Sequence, residues 1–503
     1  MISPAPGTAT PTDPAVVDTA PPEVALPPTP IRWRLGILGA VWAVGIAAYL
    51  LHDKLGYRFQ AGAGVLCFLG VAALASNSLQ SVKRKTLLWG VGLQFALAFV
   101  IIHPNPLDNR YFNFVWVGEI FRAVGAGITA LITASDKGAE FVFGDLSRAN
   151  GKIGFVFAFK ALPPIIFVSS FFSVLYYLGV LQFLVRLMAR VMMYLMGTSG
   201  AETLSVSANV FMGQTEAPLI VKPFVPTMTK SELLALMGSG MAHISGGMMA
   251  VYISYGADPV AILCTCVMAC PCALYLTKLV YPEAGKPLTA GAAPIAVETP
   301  YVNVIDAAAS GVKDGLWLAL NVAAMLIAFI AFIALFDIVL GELKPGVGWF
   351  GGWMKTNLGF GFTTADLGWW PDGLKLEKIF GWLFAPVAFL LGVQPSECQS
   401  VGSLLGIKLA ANEHVAYLTL AGKLPETGHY TELSPRSKIL AVYALTGFAN
   451  FASVGIQLGG IGAMAPGRRA DLAKLGMKAL FIGFLATLIN AAVAGLLMNV
   501  EGE

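Results

Sequence analysis

Charged residues are scarce in this 503-residue sequence, at 12% of the total. Ordinary soluble domains carry about 25%, so this chain has too little polar surface for a protein that faces water. Hydrophobic residues make up 56%, and many lie in runs close to the length of about 20 residues that crosses a bilayer. Such runs occur at 35–51, 87–102, 154–180, 316–335 and 479–500. The sequence is therefore that of a membrane protein with several spans.

The net charge is small, at +3, so no basic surface argues for a nucleic-acid partner. The basic residues lie instead in small groups at 83–85, 186–190 and 468–469. By the positive-inside rule, such groups mark cytoplasmic loops. Arg32 and Arg34, just ahead of the first apolar run, predict that the N-terminus is also cytoplasmic.

Residues 1–30 lack both Lys and Arg. A secretory signal peptide needs a basic stretch ahead of its apolar core, so this segment does not fit one. Its Pro, Thr and Ala content is typical of a disordered chain. We therefore expect a disordered cytoplasmic tail ahead of the first span.

The motifs of common enzymes are also missing. No glycine-rich phosphate loop, His-Glu-x-x-His pair or nucleophile elbow occurs in a suitable context, so we expect neither an enzyme nor a bound cofactor. A Cys-Pro-Cys run at 270–272 resembles the intramembrane motif of heavy-metal P-type ATPases. Those pumps need a large soluble nucleotide domain, for which this chain has no room. The six cysteines are interpreted as buried apolar side chains rather than a disulfide framework.

Each half of the chain contains a region of short, interrupted apolar segments. Residues 240–246 and 447–453 both read Gly, apolar, Ala, polar, apolar, small, small. Each is preceded by an apolar segment that carries an acid, at 214–218 and 412–416. Broken hydrophobic segments in matching places of two halves are typical of a repeat transporter whose binding site lies near the bilayer midplane.

Glu216 and Glu413 are the acids of these two segments. A carboxylate at the centre of a membrane helix costs roughly 2.5–3.5 kcal/mol unless it faces a cavity or a partner. The neutral polar neighbours Gln214, Thr215 and Asn412 would suit an uncharged solute rich in hydroxyls. The alternative is structural, in which each acid holds the tip of its own segment.

Helix-breaking residues occur beside these acids, at Pro218 and at Gly246 and Gly247. The backbone groups that they free inside a membrane must be satisfied by a cavity, an ion or a solute. With the side chains of Asn209 and Thr215, freed carbonyls would form an oxygen cage for a small cation. The alternative is that the glycines only allow helices to pack closely. The nearby Lys222 and Lys408 are interpreted as lysines whose side chains extend to the membrane interface.

Longer motifs resemble the concentrative nucleoside transporters, from about residue 60 to the C-terminus. They are Gly197–Glu202, Gly213–Leu219, Pro226–Leu233, Asn412-Glu413 and Gly447–Phe451. The resemblance implies an all-α polytopic membrane protein, an inverted-repeat transporter with two re-entrant helical hairpins and two discontinuous helices. It also implies a homotrimer in the lipid bilayer, in which each subunit has a scaffold and a transport domain that moves like an elevator.

The expected division of the chain combines the resemblance with the pattern of apolar runs. The segments are a disordered cytoplasmic tail (1–32), an additional N-terminal transmembrane helix (33–56), scaffold helices with a surface amphipathic helix at 115–143 (57–183), transport repeat 1 (184–280), a linker (281–300), a long scaffold helix (301–340), and a loop followed by transport repeat 2 (341–503).

The resemblance also implies roles for individual residues. The nucleobase would contact Gln214, Thr215 and Glu216 of the first hairpin and the apolar Met248. The ribose would contact Glu413, Asn450 and Ser453, with Phe448 beside them. The co-transported Na⁺ would bind Asn209, the backbone near Met212 and Ile244, and a small hydroxyl side chain at the position of His243.

His243 departs from that pattern, and so does His414, where the family usually has Phe. A neutral imidazole is a poor ligand for Na⁺, whereas a histidine with its usual pKa of about 6.5 is suited to proton coupling. The coupling ion is therefore Na⁺ or H⁺, and the alternative for His243 is a hydrogen-bonding role beside a Na⁺ bound by carbonyls.

The resemblance implies cation-coupled import of nucleosides. The short loops and compact core favour a bacterial inner membrane as the location. Gly213-Gln214 resembles broadly selective relatives, which leaves purine or pyrimidine preference open. Another small polar neutral solute, a nucleobase or a sugar, is the alternative substrate. Glu413, Asn450 and Ser453 favour a ribose-bearing solute.

Overall fold

The computed structural model describes residues 22–102, 115–148, 156–160, 162–291, 301–358, 374–424 and 427–498. Throughout this part of the chain the regular structure is helical. The α-helices are α1 (Ile31–Leu74), α2 (Arg84–Ile102), α3 (Val115–Phe143), α4 (Phe157–Lys160), α5 (Leu162–Tyr177), α6 (Val180–Met196), α7 (Gly200–Ala208), α8 (Ala217–Ile220), α9 (Lys230–Ala242), α10 (Gly246–Ser254), α11 (Pro259–Val280), α12 (Val304–Leu358), α13 (Leu376–Leu390), α14 (Cys398–Ala410), α15 (Glu413–Leu420), α16 (Pro435–Leu445), α17 (Phe451–Met464) and α18 (Arg469–Leu497).

Helix α1 consists of two antiparallel arms. The break is at Gly56, whose φ of 73° and ψ of −178° are open to glycine and not to residues with a Cβ. Across the break, a Cβ on Gly70 would collide with Val41, and Cys67 Sγ lies 3.6 Å from the Val41 carbonyl oxygen. The chain therefore folds back at Gly56, at the boundary between the expected additional N-terminal helix (33–56) and the segment of scaffold helices (57–183).

Eight helical stretches of the described residues are long and apolar enough to cross a membrane. One of them, Val117–Ser147, overlaps α3. By length and composition this stretch could cross a membrane. Its expected position at the membrane surface, as an amphipathic helix, stays a prediction.

Helix α12 runs further than the sequence predicts. We expected a loop after residue 340, but the helix continues to Leu358 through Gly341, Pro345 and Gly346. Neither glycine adopts a positive φ, and a glycine costs a helix only about 1 kcal/mol relative to Ala. Glycine and a single proline are therefore insufficient to turn the chain here. The rest of the predicted loop, 359–373, lies outside the described residues.

Part of the predicted tail is held against the protein. The Glu23 carboxylate accepts a hydrogen bond of 2.8 Å from the backbone N–H of Lys230, the first residue of α9. Val24 N–H donates to the Ala284 carbonyl at 3.0 Å. Expected disorder is therefore wrong for residues 22–30, since the unpaired N–H groups at a helix start attract a carboxylate. Residues 1–21 lie outside the described residues, as do 292–300 of the predicted linker.

The two halves repeat one order of elements. In the first, α6 precedes a hairpin made of α7 and α8 (hairpin 1), a helix interrupted at 243–245 (broken helix 1, α9 and α10) and α11. In the second, α13 precedes α14 and α15 (hairpin 2), a helix interrupted at 446–450 (broken helix 2, α16 and α17) and α18. The fold is the expected inverted-repeat membrane transporter with two re-entrant hairpins and two discontinuous helices.

The remaining long helices pack in two ways, either against each other or against the helices of the two repeats. Helices α5 and α12 lie against each other, closely enough that a Cβ on Gly311 or Gly315 would collide with the α5 backbone. Helix α2 instead packs on α11 and α18. There the Gln94 side chain accepts from the Tyr275 hydroxyl at 2.8 Å and donates to Asn490 at 2.6 Å. This buried polar network ties α2 to both repeats.

Hairpin 1 and broken helix 1 begin at interlocked caps. Ser199 with Glu202, and Thr229 with Glu232, are capping boxes in which each glutamate bonds the N-cap backbone N–H. The Ser199 hydroxyl also donates to Glu232 at 2.5 Å. Lys278 of α11 neutralises the cluster, with its ammonium 2.7 Å from Glu202.

We predict that Lys278→Met destabilises the protein by about 3–5 kcal/mol, because it leaves buried carboxylates without their cation. The midpoint of thermal unfolding in detergent measures this effect. The matched control is Lys230→Met, since Lys230 is 40% exposed and pairs with Glu23 at 3.3 Å; we expect it to cost less than about 1 kcal/mol. Equal midpoints for the two variants would contradict the prediction.

Candidate functional site

A cavity of about 400 Å³ lies where both hairpins and both broken helices meet the side of α12. This volume is within the range of small-molecule sites, roughly 300–1,000 Å³. All eight residues predicted to bind a substrate line it: Gln214, Thr215, Glu216, Met248, Glu413, Phe448, Asn450 and Ser453. Residues more than 200 positions apart in the sequence are thus brought to one cavity.

Glu413 is the best-defined acid of the cavity. It is the first residue of α15, where the helix dipole favours a negative charge. Its Oε1 accepts a hydrogen bond of 3.0 Å from the Tyr252 hydroxyl, and its Oε2 accepts one of 2.9 Å from Asn450 Nδ2. Because each carboxylate oxygen can accept two hydrogen bonds, one position on each oxygen remains for a ligand hydroxyl.

Asn450 is held in turn by the start of α17. As the N-cap of that helix, its Oδ1 accepts from the backbone N–H of Ser453 at 2.9 Å. The amide group of Asn450 is therefore oriented with its Nδ2 toward Glu413. Hairpin 2 and broken helix 2 meet at this contact.

Gln214 connects hairpin 1 with broken helix 2. Its Nε2 donates to the Ser453 hydroxyl at 3.2 Å, and its Oε1 accepts from Gln457 Nε2 at 3.2 Å. Gln457 also donates to the Met237 carbonyl of broken helix 1 at 3.0 Å. Sequence reasoning missed Gln457, which lies one helical turn after the predicted Ser453.

Glu216 has a local partner. Its Oε2 accepts a hydrogen bond of 3.0 Å from the backbone N–H of Gly213, so the carboxylate closes the turn at the tip of hairpin 1. The structural interpretation of this acid and its predicted contact with a nucleobase are compatible, because the same side chain lines the cavity.

The four predicted cation ligands lie beside the interruption of broken helix 1. Gly246 N–H donates to the Phe211 carbonyl at 3.0 Å, which holds the turn bearing Asn209 and Met212 against His243 and Ile244. Asn209 is fully buried, and its Nδ2 donates to the Ser239 hydroxyl at 2.8 Å. Its Oδ1 has no hydrogen-bond partner among the described residues. A buried acceptor of this kind requires an explanation such as an ion or a water molecule.

Both ring nitrogens of His243 contact groups of the protein rather than the predicted cation site. Its Nδ1 lies 2.7 Å from the Ser239 carbonyl oxygen and its Nε2 lies 3.4 Å from Cys270 Sγ. A carbonyl only accepts, so Nδ1 carries the proton and Nε2 accepts from the thiol. Both ring nitrogens are therefore engaged, and the His243 carbonyl accepts from Phe448 N–H at 3.1 Å.

His414, the second departure, also lines the cavity. Its Nε2 lies 3.0 Å from the hydroxyl oxygen of Tyr255, at the end of α10. A phenylalanine at this position could not form that hydrogen bond. The histidine thus adds a polar contact between hairpin 2 and broken helix 1.

Sequence reasoning missed two further features. Asn321 is the polar residue that α12 contributes to the cavity, and an isolated Asn in an apolar run was an available signal.

The prediction that Lys408 snorkels to the interface is wrong. Lys408 is fully buried, and its side-chain nitrogen donates to the Ala444 carbonyl at 2.8 Å and the Thr487 hydroxyl at 2.9 Å. Hydropathy alone does not distinguish an interfacial lysine from one whose ammonium meets acceptors inside the protein. Lys222 is exposed, as expected.

The two cysteines of the Cys-Pro-Cys run face different parts of the protein. Cys270 faces His243 and the Val206 carbonyl, whereas Cys272 lies 3.3 Å from the Tyr275 hydroxyl on another side of α11. In the part of the chain that the structure describes, no group of three or more His, Cys, Asp or Glu side chains is placed to hold a metal ion.

Three models of known protein families match consecutive sections of the chain. A family model described as "Na+ dependent nucleoside transporter N-terminus" matches residues 63–146, "Nucleoside recognition" matches 158–259, and "Na+ dependent nucleoside transporter C-terminus" matches 261–495.

Two curated relatives illustrate the similarity. An uncharacterized transporter of Haemophilus influenzae is 38% identical over 440 residues, which are 87% of this chain and 97% of that protein. Sodium/nucleoside cotransporter 1 of Rattus norvegicus is 37% identical over 495 residues, 93% of this chain and 69% of that protein. The mammalian relative is thus substantially longer than the matched part.

Solved structures of the transporter CNTnw have the same fold. Its inward-facing, substrate-bound state has a TM-score of 0.75 and 35% identity, and covers 89% of this chain and 99% of that one. A doubly substituted variant in an outward-facing state has a TM-score of 0.73 and 35% identity, and covers 88% and 97%.

We predict that Tyr252→Phe weakens the binding of uridine about tenfold, because Glu413 loses one of its two hydrogen bonds inside the protein. Calorimetry on the purified protein measures the Kd. The control is Tyr275→Phe, which removes a buried hydroxyl that bonds Gln94 and lies outside the cavity; it should leave the Kd unchanged. A Tyr252→Phe protein with wild-type affinity would show that this hydrogen bond does not position Glu413.

Proposed function

The chain belongs to the family of Na⁺-dependent nucleoside transporters, and we propose that it imports nucleosides by symport with a cation. It is an integral membrane protein with several spans, and its family is one of transporters rather than enzymes. The observation that carries the proposal is the contact of Glu413 with Asn450 and Tyr252 at the meeting point of the two repeats. The alternative substrates are a nucleobase or a sugar.

The chemistry of the cavity supports a nucleoside. Glu413 and Asn450 at one place offer oxygen and nitrogen atoms to the hydroxyls of a ribose, while Gln214 and Thr215 offer an amide and a hydroxyl to a base. Met248 and Phe448 add apolar surface for the face of a base. No Lys or Arg occurs among the described residues that line the cavity, so a phosphorylated nucleotide would find no counter-charge.

Na⁺ is the coupling ion that we propose. The unpartnered Asn209 Oδ1 and the carbonyls near Met212 and Ile244 are oxygen donors of the kind that hard cations prefer. The matching family description and the name of the rat relative both specify sodium. His243 acts by hydrogen bonding in this scheme: it holds Ser239, whose hydroxyl fixes the Asn209 amide.

Alternating access would follow from motion of the two repeats past α5 and α12. Both hairpins, both broken helices, α11 and α18 would move as the transport domain in an elevator-type mechanism, and the packing of α2 on α11 and α18 favours its moving with them. Bound nucleoside and cation would favour closed hairpins, because a ligand shifts an equilibrium only by its differential affinity for the two states. Inward- and outward-facing structures of CNTnw support such a cycle. A homotrimer in a bacterial inner membrane is part of the same proposal.

We expect proteoliposomes with an inward Na⁺ gradient and no pH gradient to accumulate labelled uridine above equilibrium. Glu413→Gln should reduce the initial rate about tenfold or more, because it replaces a charged acceptor in the cavity. Accumulation with a proton gradient alone would contradict Na⁺ coupling. The absence of both accumulation and uridine exchange would contradict the nucleoside assignment.

His243→Ser separates sodium from proton coupling. We expect uptake to remain Na⁺-dependent, with an unchanged profile between pH 6 and 8, and half-maximal uptake at a Na⁺ concentration about fivefold higher, because Ser239 loses the imidazole that holds it and fixes the Asn209 amide less firmly. Cys270→Ala is the control, since it removes a partner of the imidazole but leaves the contact between His243 and Ser239. Proton-driven uptake by the wild type that His243→Ser abolished would contradict Na⁺ coupling and assign the coupling proton to His243.

A further inference from the structure

Gln457 lies behind the candidate site, and the proposed transport cycle leaves it without a role. It is fully buried in α17 and does not line the cavity. Its Nε2 donates to the Met237 carbonyl at 3.0 Å and to Gln214 Oε1 at 3.2 Å, whereas its own Oε1 is buried and has no hydrogen-bond partner among the described residues. An unpaired buried acceptor is costly, and an apolar side chain would avoid that cost. The presence of a glutamine here therefore calls for a reason.

Repeat 1 has an apolar residue at the corresponding position. The matching schemes at 240–246 and 447–453 align Ala250 with Gln457, and Ala250 is fully buried in α10. A half-helix at this place thus does not need a glutamine to fold. In α17, Ser453 and Gln457 are the only polar residues, and because they are four positions apart they lie on the same face of the helix.

The Met237 carbonyl sets the direction of a chain of hydrogen bonds. A carbonyl oxygen only accepts, so the NH₂ group of Gln457 must face it. The same NH₂ group donates to Gln214, which turns Gln214 Oε1 toward Gln457 and Gln214 Nε2 toward Ser453. Turning the Gln457 amide over would oppose oxygen atoms, and turning the Gln214 amide over would oppose two NH₂ groups. Both amides are therefore held in one orientation.

The chain ends at the Ser453 hydroxyl, which lines the cavity. This hydroxyl accepts from Gln214 Nε2 at 3.2 Å and donates to no group among the described residues. Its hydrogen is thus left for a ligand, as is the second hydrogen of Gln214 Nε2. On the side of hairpin 2, the ionised Glu413 can only accept. A solute must then present acceptors to Gln214 and Ser453 and a donor to Glu413, and a nucleoside has groups of both kinds.

Gly240 of α9 provides the space for this chain of hydrogen bonds. A Cβ at Gly240 would lie 2.7 Å from Gln457 Nε2 and 3.1 Å from Gln214 Cβ. Both distances are shorter than an ordinary van der Waals contact, so any larger residue would displace the two amides. Broken helix 1 thus contributes both the carbonyl that directs the chain and the gap that holds it.

On the premise of the proposed symport, we propose that Gln457 is a positioning residue for nucleoside binding. From outside the cavity it fixes the Gln214 amide and, through that amide, the Ser453 hydroxyl as hydrogen-bond donors toward the solute. Donors that are oriented before the solute arrives do not have to be ordered when it binds, which strengthens binding.

Calorimetry with uridine tests the positioning role. Gln457→Met keeps the volume and removes the donors, and we expect the Kd to rise about tenfold because two groups in the cavity lose their fixed direction. Gln60→Met is the matched control, since Gln60 is also fully buried and donates to two backbone carbonyls, those of Phe389 and Val393, away from the cavity. The control should leave the Kd unchanged. Wild-type affinity in Gln457→Met would overturn the proposal.

A double-mutant cycle separates positioning from a general effect on the fold. Ser453→Ala should raise the Kd about tenfold by itself, but only about thirtyfold together with Gln457→Met, because the direction of the hydroxyl no longer matters once it is absent. Gln457→Met combined with Tyr252→Phe, which acts on Glu413, should raise the Kd about a hundredfold, as expected for independent effects. If the effects multiplied fully in both pairs, the proposal would be overturned.

Gly240→Ala keeps the question open to test if Gln457→Met fails to fold. It retains every hydrogen-bonding group and displaces the two amides, so the Kd for uridine should rise about tenfold. An unchanged Kd in Gly240→Ala would overturn the role of Gln457 and leave the symport intact. If the wild-type protein bound no nucleoside, the proposed function itself would fail.

Discussion

The structure depends on one constraint: where a helix breaks inside a membrane, the freed backbone groups need partners within the protein or its ligands. Broken helix 1 is interrupted at 243–245 and broken helix 2 at 446–450. The two breaks satisfy each other in part, because Phe448 N–H donates to the His243 carbonyl. This hydrogen bond joins the two interruptions directly.

The side chains that stabilise these breaks are those of the candidate site. Asn450, Ser245 and Asn412 are N-caps of α17, α10 and α15, and each accepts from the backbone of the half-helix that it begins. The starts of the half-helices carry partial positive charge, which suits Glu413 and the oxygen atoms of a solute. Residues that support the backbone at these helix starts therefore also line the candidate site.

Around this centre, the charged residues hold the ends of the hairpins in place. The interlocked caps of Glu202 and Glu232, neutralised by Lys278, begin hairpin 1 and broken helix 1 at a common point. Lys408 anchors broken helix 2 from inside. Helices α5 and α12 meet each other through small-residue contacts at Gly311 and Gly315.

Much of the candidate site was predictable, because each of its motifs has a strong local signal. An acid in an apolar run identifies Glu216 and Glu413, and a repeated scheme of residue types identifies the two breaks, without tertiary information. The family resemblance added the roles expected of Asn450 and Ser453. Residues without such a local signal were missed by sequence reasoning. Tyr252 and Gln457 are ordinary helix residues by sequence, and their importance arises only from the partners that lie across from them, Glu413 and Gln214.

The amino-acid sequence by itself determined that the chain spans a membrane, that it is built from two interrupted repeats and which motifs converge. It did so because hydropathy and helix breaking are properties of short segments. The tertiary structure alone decided the direction of the His243 ring, the burial of Lys408 and the continuation of α12 through its glycines. A hydrogen bond depends on where two distant segments meet, and the sequence specifies that meeting only through the folding of the whole chain.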